Sequence, residues 1–248
     1  VDESIINPII SVIIPTLNEE KLIQKIVSQF SARVKEKYKI ELIISDGGST
    51  DNTLKLAADS ADVIISPQPG EKQNIPIGRN AGAKAAKGKY LYFINADTLL
   101  ANVEQFFSLT LESLSINNVA ALSFKIKVFP EEEKPFDKIF HGTYNSYVRF
   151  LNFLGMGMGR GECQVVKSEY FKKVNGYNDN LAAGEDFDLY RRLIKVGKIK
   201  FLKDLVVYES PRRYRQRGYP KVFWDWTLNA VSVVFRNKAV SEKWDEVR

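Results

Sequence analysis

The sequence predicts an α/β fold: a doubly wound, mostly parallel sheet flanked by helices. Short apolar runs rich in β-branched and aromatic residues recur as Ile9-Ile-Ser-Val-Ile-Ile14, Ile40-Glu-Leu-Ile-Ile-Ser45, Val63-Ile-Ile65 and Tyr90-Leu-Tyr-Phe-Ile94. Such runs suit strands buried on both faces. Helical stripes separate them, and alternation of the two marks parallel β–α–β units. Three of the runs break abruptly into polar residues. In an open α/β sheet the ligand crevice lies outside the carboxyl ends of the strands. Right-handed crossovers therefore bring Pro15–Glu19, Asp46–Asp51 and Asn95–Thr98 to one crevice.

The 248 residues carry 44% hydrophobic and 27% charged side chains, ordinary values for a soluble globular chain long enough for a sizeable core. The net charge of +6 suits an anionic partner. Much of that charge is local, in Arg212-Arg213-Tyr214-Arg215-Gln216-Arg217. One cysteine, Cys163, excludes an intrachain disulfide and is compatible with a reducing compartment. Val1–Asn7 shows no apolar signal-peptide core, and no run reaches the roughly 18 apolar residues of a spanning helix. A cytoplasmic location is expected. The single His141 rules out multi-histidine metal sites and reads more readily as structural than as catalytic.

Taken in order, the first strand is followed by a helical stripe of Leu22, Ile23, Ile26, Val27 and Phe30, which Thr16 or Asn18 can cap. After Asp46-Gly-Gly-Ser-Thr-Asp51, a helix continues through Leu54, Leu56 and Ala57. Ile77–Lys87 reads as a small-residue helix, able to pack closely on a sheet or approach a phosphate. In extended chain, Asn95 and Asp97 leave on one face and can share a hard cation; the alternative is an Asx turn that ends the strand. Val103–Leu114 reads as a helix and Ala120–Val128 as a strand. Phe136–Leu154 forms an aromatic-rich helix, and Gly155–Gly161 a flexible loop that is at most a weak phosphate cradle. A strand over Glu162–Lys167, a short helix over Ser168–Val174 and a helix opened by Glu185-Asp186 follow. Acidic residues in a first turn are also expected from the helix dipole alone. Val206-Val207 marks a late strand, and Val222–Phe235 a strongly apolar helix too short to span a bilayer.

Four blocks, in order over about 180 residues, resemble the family 2 glycosyltransferases with the GT-A fold: Ser11–Glu19, Ile44–Asp51, Gly78–Gly82 with Lys87–Asp97, and Gly184–Leu189. The resemblance implies a glycosyltransferase domain over residues 1–210. Its nucleotide-binding half would span about 1–128 and its acceptor half about 129–210, with a basic and apolar helical extension over 211–248. It implies that Pro15, Thr16, Asn18 and Glu19 line the nucleotide pocket, with Asn95 and Ala96 beside them. Asp46 hydrogen-bonds the base, and Gly47 stands where many relatives have a second Asp. Arg79 approaches the phosphates. Asp97 is the metal-binding end of an Asp-X-Asp motif whose first member is here Asn95, with one less charge. Glu185-Asp186 matches the family's Glu-Asp pair, whose Asp is the usual base; the N-terminus of its helix and nearby cations would keep Asp186 ionised. Arg212 and Arg213 close over the diphosphate or form a solvated basic face.

The implied reaction is an inverting, metal-dependent (Mg²⁺ or Mn²⁺) transfer of a sugar from a nucleoside-diphosphate sugar to an acceptor hydroxyl or phosphate. The acceptor class stays open among lipid-linked, glycan and protein, and nucleic acid is not an expected partner. Gln216-Arg-Gly-Tyr-Pro220 does not match the Gln-X-X-Arg-Trp of processive synthases, which favours transfer of a single sugar. Two other readings compete: a sugar-1-phosphate nucleotidyltransferase, which would want a Gly-rich basic loop after the first strand, and a catalytically weak nucleotide-sugar-binding protein. The Arg212–Arg217 run beside an apolar helix further suggests peripheral contact with an anionic membrane surface, against the reading of that helix as ordinary core.

Overall fold

The computed structural model describes residues 7–68, 70–71, 73–236, 238 and 240. The expectation for Val1–Asn7 thus lies outside the described residues except at Asn7. So do residues 241–248 of the C-terminal stretch and the side chains of Val231, Val234 and Phe235. In chain order the first half comprises β1 (Ile10–Thr16), α1 (Ile23–Val27), α2 (Ala32–Tyr38), β2 (Ile40–Asp46), α3 (Thr53–Ala57), β3 (Val63–Ile65), α4 (Ile75–Ala85), β4 (Tyr90–Ile94), β5 (Thr98–Leu100) and α5 (Val103–Ser115). The second half comprises β6 (Val119–Val128), α6 (Pro135–Phe153), β7 (Cys163–Lys167), α7 (Ser168–Lys173), α8 (Glu185–Leu193), β8 (Lys198–Glu209), α9 (Arg212–Arg217) and α10 (Tyr219–Arg236).

All eight strands join one sheet in the order β3-β2-β1-β4-β7-β6-β8-β5. The first four pair parallel, as the β–α–β alternation predicts. The second half is mixed: β7 runs antiparallel between β4 and β6, β8 parallel to β6, and β5 antiparallel on the edge. Successive strand residues feed opposite faces. Val12 and Ile14 enter a core with Ile23, Ile26, Phe30, Phe106 and Phe107. Ile13 enters a second core with Phe93, Phe171, Tyr177, Leu189 and Tyr190. The sheet is thus covered on both sides, as its uninterrupted apolar strands require.

Several local features depart from the sequence reading. The stripe over Leu22–Phe30 is not one helix: after Val27 the chain tightens into i→i+3 bonds, and Phe30 turns into the core against Phe107, 6.3 Å away. Gln29 leaves the helix to hold Leu100 of β5 through both backbone groups, at 3.0 Å each. Neither Thr16 nor Asn18 caps α1, because both side chains serve the adjacent β2 loop. Strand β5 was not expected, since Asn95 and Asp97 sit in a turn closed by the Thr98 N–H on the Asn95 carbonyl (3.1 Å). Strand β8 is far longer than Val206-Val207. The Gly155–Gly161 segment is packed, not loose: residues 157–160 are buried, and Gly157 adopts φ +71° against the Tyr190 backbone.

One close approach fixes β1 against the helix-to-β4 turn. A Cβ at Gly88 would lie 2.6 Å from the Ser11 nitrogen and 2.8 Å from the Ile10 carbonyl carbon. The Gly88 N–H also donates to Ser11 Oγ at 2.8 Å. Gly88→Ala should therefore lower unfolding stability by about 1–3 kcal/mol through overpacking against backbone that cannot yield, measurable by urea denaturation.

Candidate active site

The carboxyl ends of β1, β2 and β4 lie side by side, as the topology predicts. The loops after β1 and β2 are stitched together. Gly47 N–H donates to the Thr16 carbonyl (2.7 Å), Asn18 N–H to Ser49 Oγ (2.8 Å), and Thr50 N–H to Asn18 Oδ1 (2.7 Å). Asn18 sits at φ +52°, a conformation Asn tolerates better than most residues. Asp46 is buried and accepts from Gly48 N–H, Ser49 N–H, Ser49 Oγ and Thr16 Oγ1. Both Asn18 and Asp46 thus build the loops, and neither lines the cavity beside them. That cavity has a volume of about 570 Å³. Pro15, Thr16, Glu19, Arg79, Asn95, Ala96, Asp97, Glu185, Asp186, Arg212 and Arg213 all line it.

Arg79 lies beneath this cavity, 1% exposed. From α4 its guanidinium donates to Glu185 Oε1 (2.9 Å), Asn95 Oδ1 (2.9 Å) and the Gly161 carbonyl (2.7 Å), and it sits 5.3 Å over the Tyr177 ring. Both terminal nitrogens are therefore directed at protein acceptors, while the buried Nε has no partner among the described residues. Asn95 and Asp97 do not share a partner: Asn95 faces Arg79, whereas Asp97 Oδ2 lies 3.2 Å from Arg212 Nη2. Arg212 also grips both oxygens of Glu19, so α9 is tied to the loop after β1 and to the turn after β4. Burial raises the Asp97 pKa, with the Arg212 charge acting in the opposite direction. Arg213 lies half-buried on the same wall, and burial lowers its pKa.

Among the described residues, no group of three His, Cys, Asp or Glu side chains is placed to hold a metal ion. Asp97 is the one carboxylate of the Asn-Ala-Asp turn, and it lines the cavity. That donor set fits a hard cation held by one carboxylate plus substrate phosphates, not one caged by protein alone.

A second charged group on the cavity was not singled out from the sequence. Arg160 donates to Glu162 Oε1 (2.7 Å) and Glu209 Oε1 (2.9 Å), and it lies 4.9 Å over Tyr144 and 5.6 Å over Trp226. Tyr214 Oη also donates to Glu209 (2.8 Å). Burial opposes ionisation of both acids. At Glu162 the Arg160 guanidinium outweighs it and holds the pKa below the ordinary range. At Glu209 burial, reinforced by the Glu162 charge, pushes the pKa well above it. His141 sits against this group, its pKa pushed down to about 3 by burial and by Arg160. It is a neutral, buried residue in contact with Phe140 and Tyr214, as its isolation in the sequence implied. Arg160 stands between two glycines just ahead of the strand that pairs with β4, and that placement was the available signal.

Asp186 opens α8 next to Glu185, behind Gly184 at φ +76°. Its Oδ1 accepts from the Phe187 N–H at 2.7 Å. Burial, and then the Glu185 charge, raise its pKa to about 7. The expectation of a carboxylate kept ionised by the helix N-terminus is therefore corrected: the favourable dipole and Arg79 are outweighed by burial and the Glu185 charge. Asp188, two residues further in the same first turn, pairs with Arg192.

The chain matches the model of the Glycosyl transferase family 2 over residues 11–174, and it belongs to that family. It is 32% identical over 96 residues to Glycosyltransferase AglE of Haloferax volcanii, covering 36% of this chain and 31% of that one. It is 25% identical over 253 residues to a Methanococcus voltae enzyme, dolichyl N-acetyl-alpha-D-glucosaminyl phosphate 3-beta-D-2,3-diacetamido-2,3-dideoxy-beta-D-glucuronosyltransferase, covering 87% of this chain and 76% of that one. The chain thus spans about a third of the Haloferax relative's length and three quarters of the Methanococcus one's. Its fold matches the mannosyltransferase PcManGT from Pyrobaculum calidifontis, solved with GDP-Man and Mn²⁺, at a TM-score of 0.67 and 19% identity, covering 91% of this chain and 62% of that one. The fold is the GT-A type of α/β sheet.

The raised pKa of Asp186 has a stability consequence. Between the ordinary 3.8 and about 7, the folded state holds a proton that the unfolded chain has released. Stability should therefore fall as pH rises through that window and level off above it. Asp186→Asn should remove this slope. The variant should match the parent below about pH 4 and exceed it above pH 7 by on the order of 1–3 kcal/mol, measured as chemical denaturation midpoints across pH.

Proposed function

We propose that the protein is an inverting, metal-dependent glycosyltransferase that moves one sugar from a nucleoside-diphosphate sugar to an acceptor hydroxyl or phosphate. The observation that carries the proposal is the cavity itself. One wall presents Asp97 with Arg212 and Arg213, and the same cavity is lined by Asp186 at the head of α8. In this reading Pro15, Thr16 and Glu19 border the nucleotide, while Asn18 and Asp46 hold the two loops that shape its pocket. Arg212 and Arg213 donate to the diphosphate. Asp97 holds the divalent cation, which neutralises charge on the departing diphosphate. The Pyrobaculum structure, with GDP-Man and Mn²⁺ on the same fold, supports the donor class and the cation.

The charge balance supports it too. The cavity is lined by six acidic side chains (Glu19, Asp97, Glu162, Glu185, and Asp186 and Glu209, which burial pushes toward the neutral form) and four guanidinium groups (Arg79, Arg160, Arg212, Arg213), of which Arg79, Arg160 and Arg212 are already paired with acids. An anionic diphosphate entering such a site needs added positive charge. Glu185 is fixed by Arg79, so it orients α8, and Asp186 is left to take the proton of the acceptor hydroxyl. A base facing the anomeric carbon opposite the leaving group gives inversion. The Gln216–Pro220 segment, unlike that of processive synthases, supports one transfer per acceptor. The excess of basic residues supports peripheral contact with an anionic membrane face.

Asp97→Ala should abolish the thermal stabilisation that nucleoside diphosphates confer in the presence of Mn²⁺; undiminished stabilisation would remove Asp97 from the site. Asp186→Asn should keep donor affinity while single-turnover transfer falls by roughly 10²-fold or more. Because the base must be ionised, kcat/KM of the parent should rise with pH through about 7 and level off above it. A profile flat across that range would assign the proton transfer to another group.

A further inference from the structure

Helices α6 and α10 lie side by side. Phe136 and Phe140 of α6 pack on Tyr219 of α10, and Tyr144 packs on Trp226 and Phe223. Their inner residues are core: Asp137, His141, Asn145, Val148 and Leu151 on α6, Val222 and Val233 on α10. Their outer faces are apolar where water should be. On α6, Phe136, Ile139, Tyr147, Phe150 and Phe153 fall at helical spacing on the exposed side, with Phe153 85% exposed. On α10, Phe223, Trp224 and Leu228 continue the patch, with Trp224 61% exposed.

Among the described residues, the exposed charges on the outer sides of the two helices include Lys138, Arg149 and Lys221, while the loop ahead of α6 adds Glu131, paired with Lys25, and Glu132. Each helix carries a single acid. Asp137 is buried and paired with Arg215; Asp225 is paired with Lys221 and Arg217. Arg149 is exposed among the aromatic residues of α6, and Lys221 adjoins Phe223 and Trp224. Arg212 and Arg215 of the basic run, in contrast, are turned inward onto Glu19, Asp97 and Asp137. An exposed aromatic face with Arg149 and Lys221 beside its rings, and with the acids of both helices paired to basic side chains, fits the interface of an anionic bilayer. No described helix is long and apolar enough to cross one.

The face is also continuous with the cavity. Tyr144 and Trp226, 5.3 Å apart, line the cavity on one side and reach the patch through Tyr147 (6.0 Å) and Phe223 (6.5 Å) on the other. We propose that the α6–α10 face seats the protein on an anionic bilayer, and that the acceptor is the head group of a lipid in that bilayer. The second clause rests on the transferase reading above; the first does not.

Flotation with vesicles of phosphatidylcholine alone, and of phosphatidylcholine with an equal part of phosphatidylglycerol, tests the face. The parent should float with the anionic vesicles. Phe150→Glu/Phe153→Glu and, separately, Trp224→Glu should lower the floated fraction at least about tenfold without changing the circular dichroism spectrum. A parent that does not float, or variants that float like the parent, would overturn the docking face. A parent dimer in sedimentation that the same variants split would overturn it too, by giving the face to a second copy. For the acceptor, labelled sugar from a panel of nucleotide sugars should enter the organic phase of vesicles made from a bacterial total polar lipid extract, and at least about tenfold less with the α6 double variant. Release of nucleoside diphosphate without label in lipid overturns the lipid acceptor. Absence of release from parent and variants alike, with flotation intact, means instead that the transferase reading has failed.

Discussion

The site depends on one buried cation. Arg79 reaches from α4 to three separate pieces of chain: the turn after β4 through Asn95, the segment ahead of β7 through Gly161, and the head of α8 through Glu185. A guanidinium is suited to this because it is planar, permanently charged and offers several donors in fixed directions. Its removal would leave the Glu185 charge buried without a partner, among the costliest defects a fold can carry. The glycines of α4 make the arrangement accessible: Gly78 lies against Ser45, and Gly82 lies directly on Ile13 of β1. The helix is thereby drawn close enough to the sheet for Arg79 to pass under the cavity. Position, charge balance and the orientation of α8 therefore follow from one side chain.

The other charged groups divide between tight pairs and poised acids. Arg160 pairs with both Glu162 and Glu209, and burial with the Glu162 charge pushes the Glu209 pKa up while the Arg160 charge holds that of Glu162 down. Tyr144 and Trp226 cover the Arg160 guanidinium, giving this end of the cavity an aromatic surface. Asp186 has no arginine of its own within hydrogen-bonding distance. Its raised pKa comes from burial and then from the Glu185 charge, which the Arg79 charge offsets only in part. Two adjacent acids thus sit in different environments, Glu185 against Arg79 and Asp186 on the cavity, and the proposed function gives the first an orienting role and the second the proton transfer.

The parallel half of the sheet was legible because its strands are buried on both faces and therefore read as unbroken apolar runs. The small-residue helix was legible for a related reason, since only glycine and alanine allow its approach to β1. The mixed half was harder. The first part of β8, Lys198-Ile-Lys-Phe201, alternates exposed lysines with partly buried apolar residues, a period-two signal that was present but short. Strand β5 is three residues long and is held by Gln29, a partner 71 positions away, which no local pattern can reveal. The polar strand ends pointed correctly to the crevice, but not to the division of labour within it. Asn18 and Asp46 are satisfied by neighbouring loop donors, and Arg79 by protein acceptors; those pairings depend on tertiary contacts. Arg160, Glu209 and Trp226 come from the segments where periodicity was weakest, so their convergence became visible only in three dimensions.

The asparagine at position 95 has a physical reason within this arrangement. Arg79 is almost fully buried and is already matched by the carboxylate of Glu185. A neutral carbonyl oxygen at 95 fills a remaining donor without adding charge. An aspartate there would set a second carboxylate against the same guanidinium. The neutral oxygen of Asn95 thus meets a donor of Arg79 that Glu185 does not take. In the proposed function, cation affinity at this turn would come from Asp97 and the incoming diphosphate together, which would couple metal binding to donor binding more tightly than a pair of aspartates would.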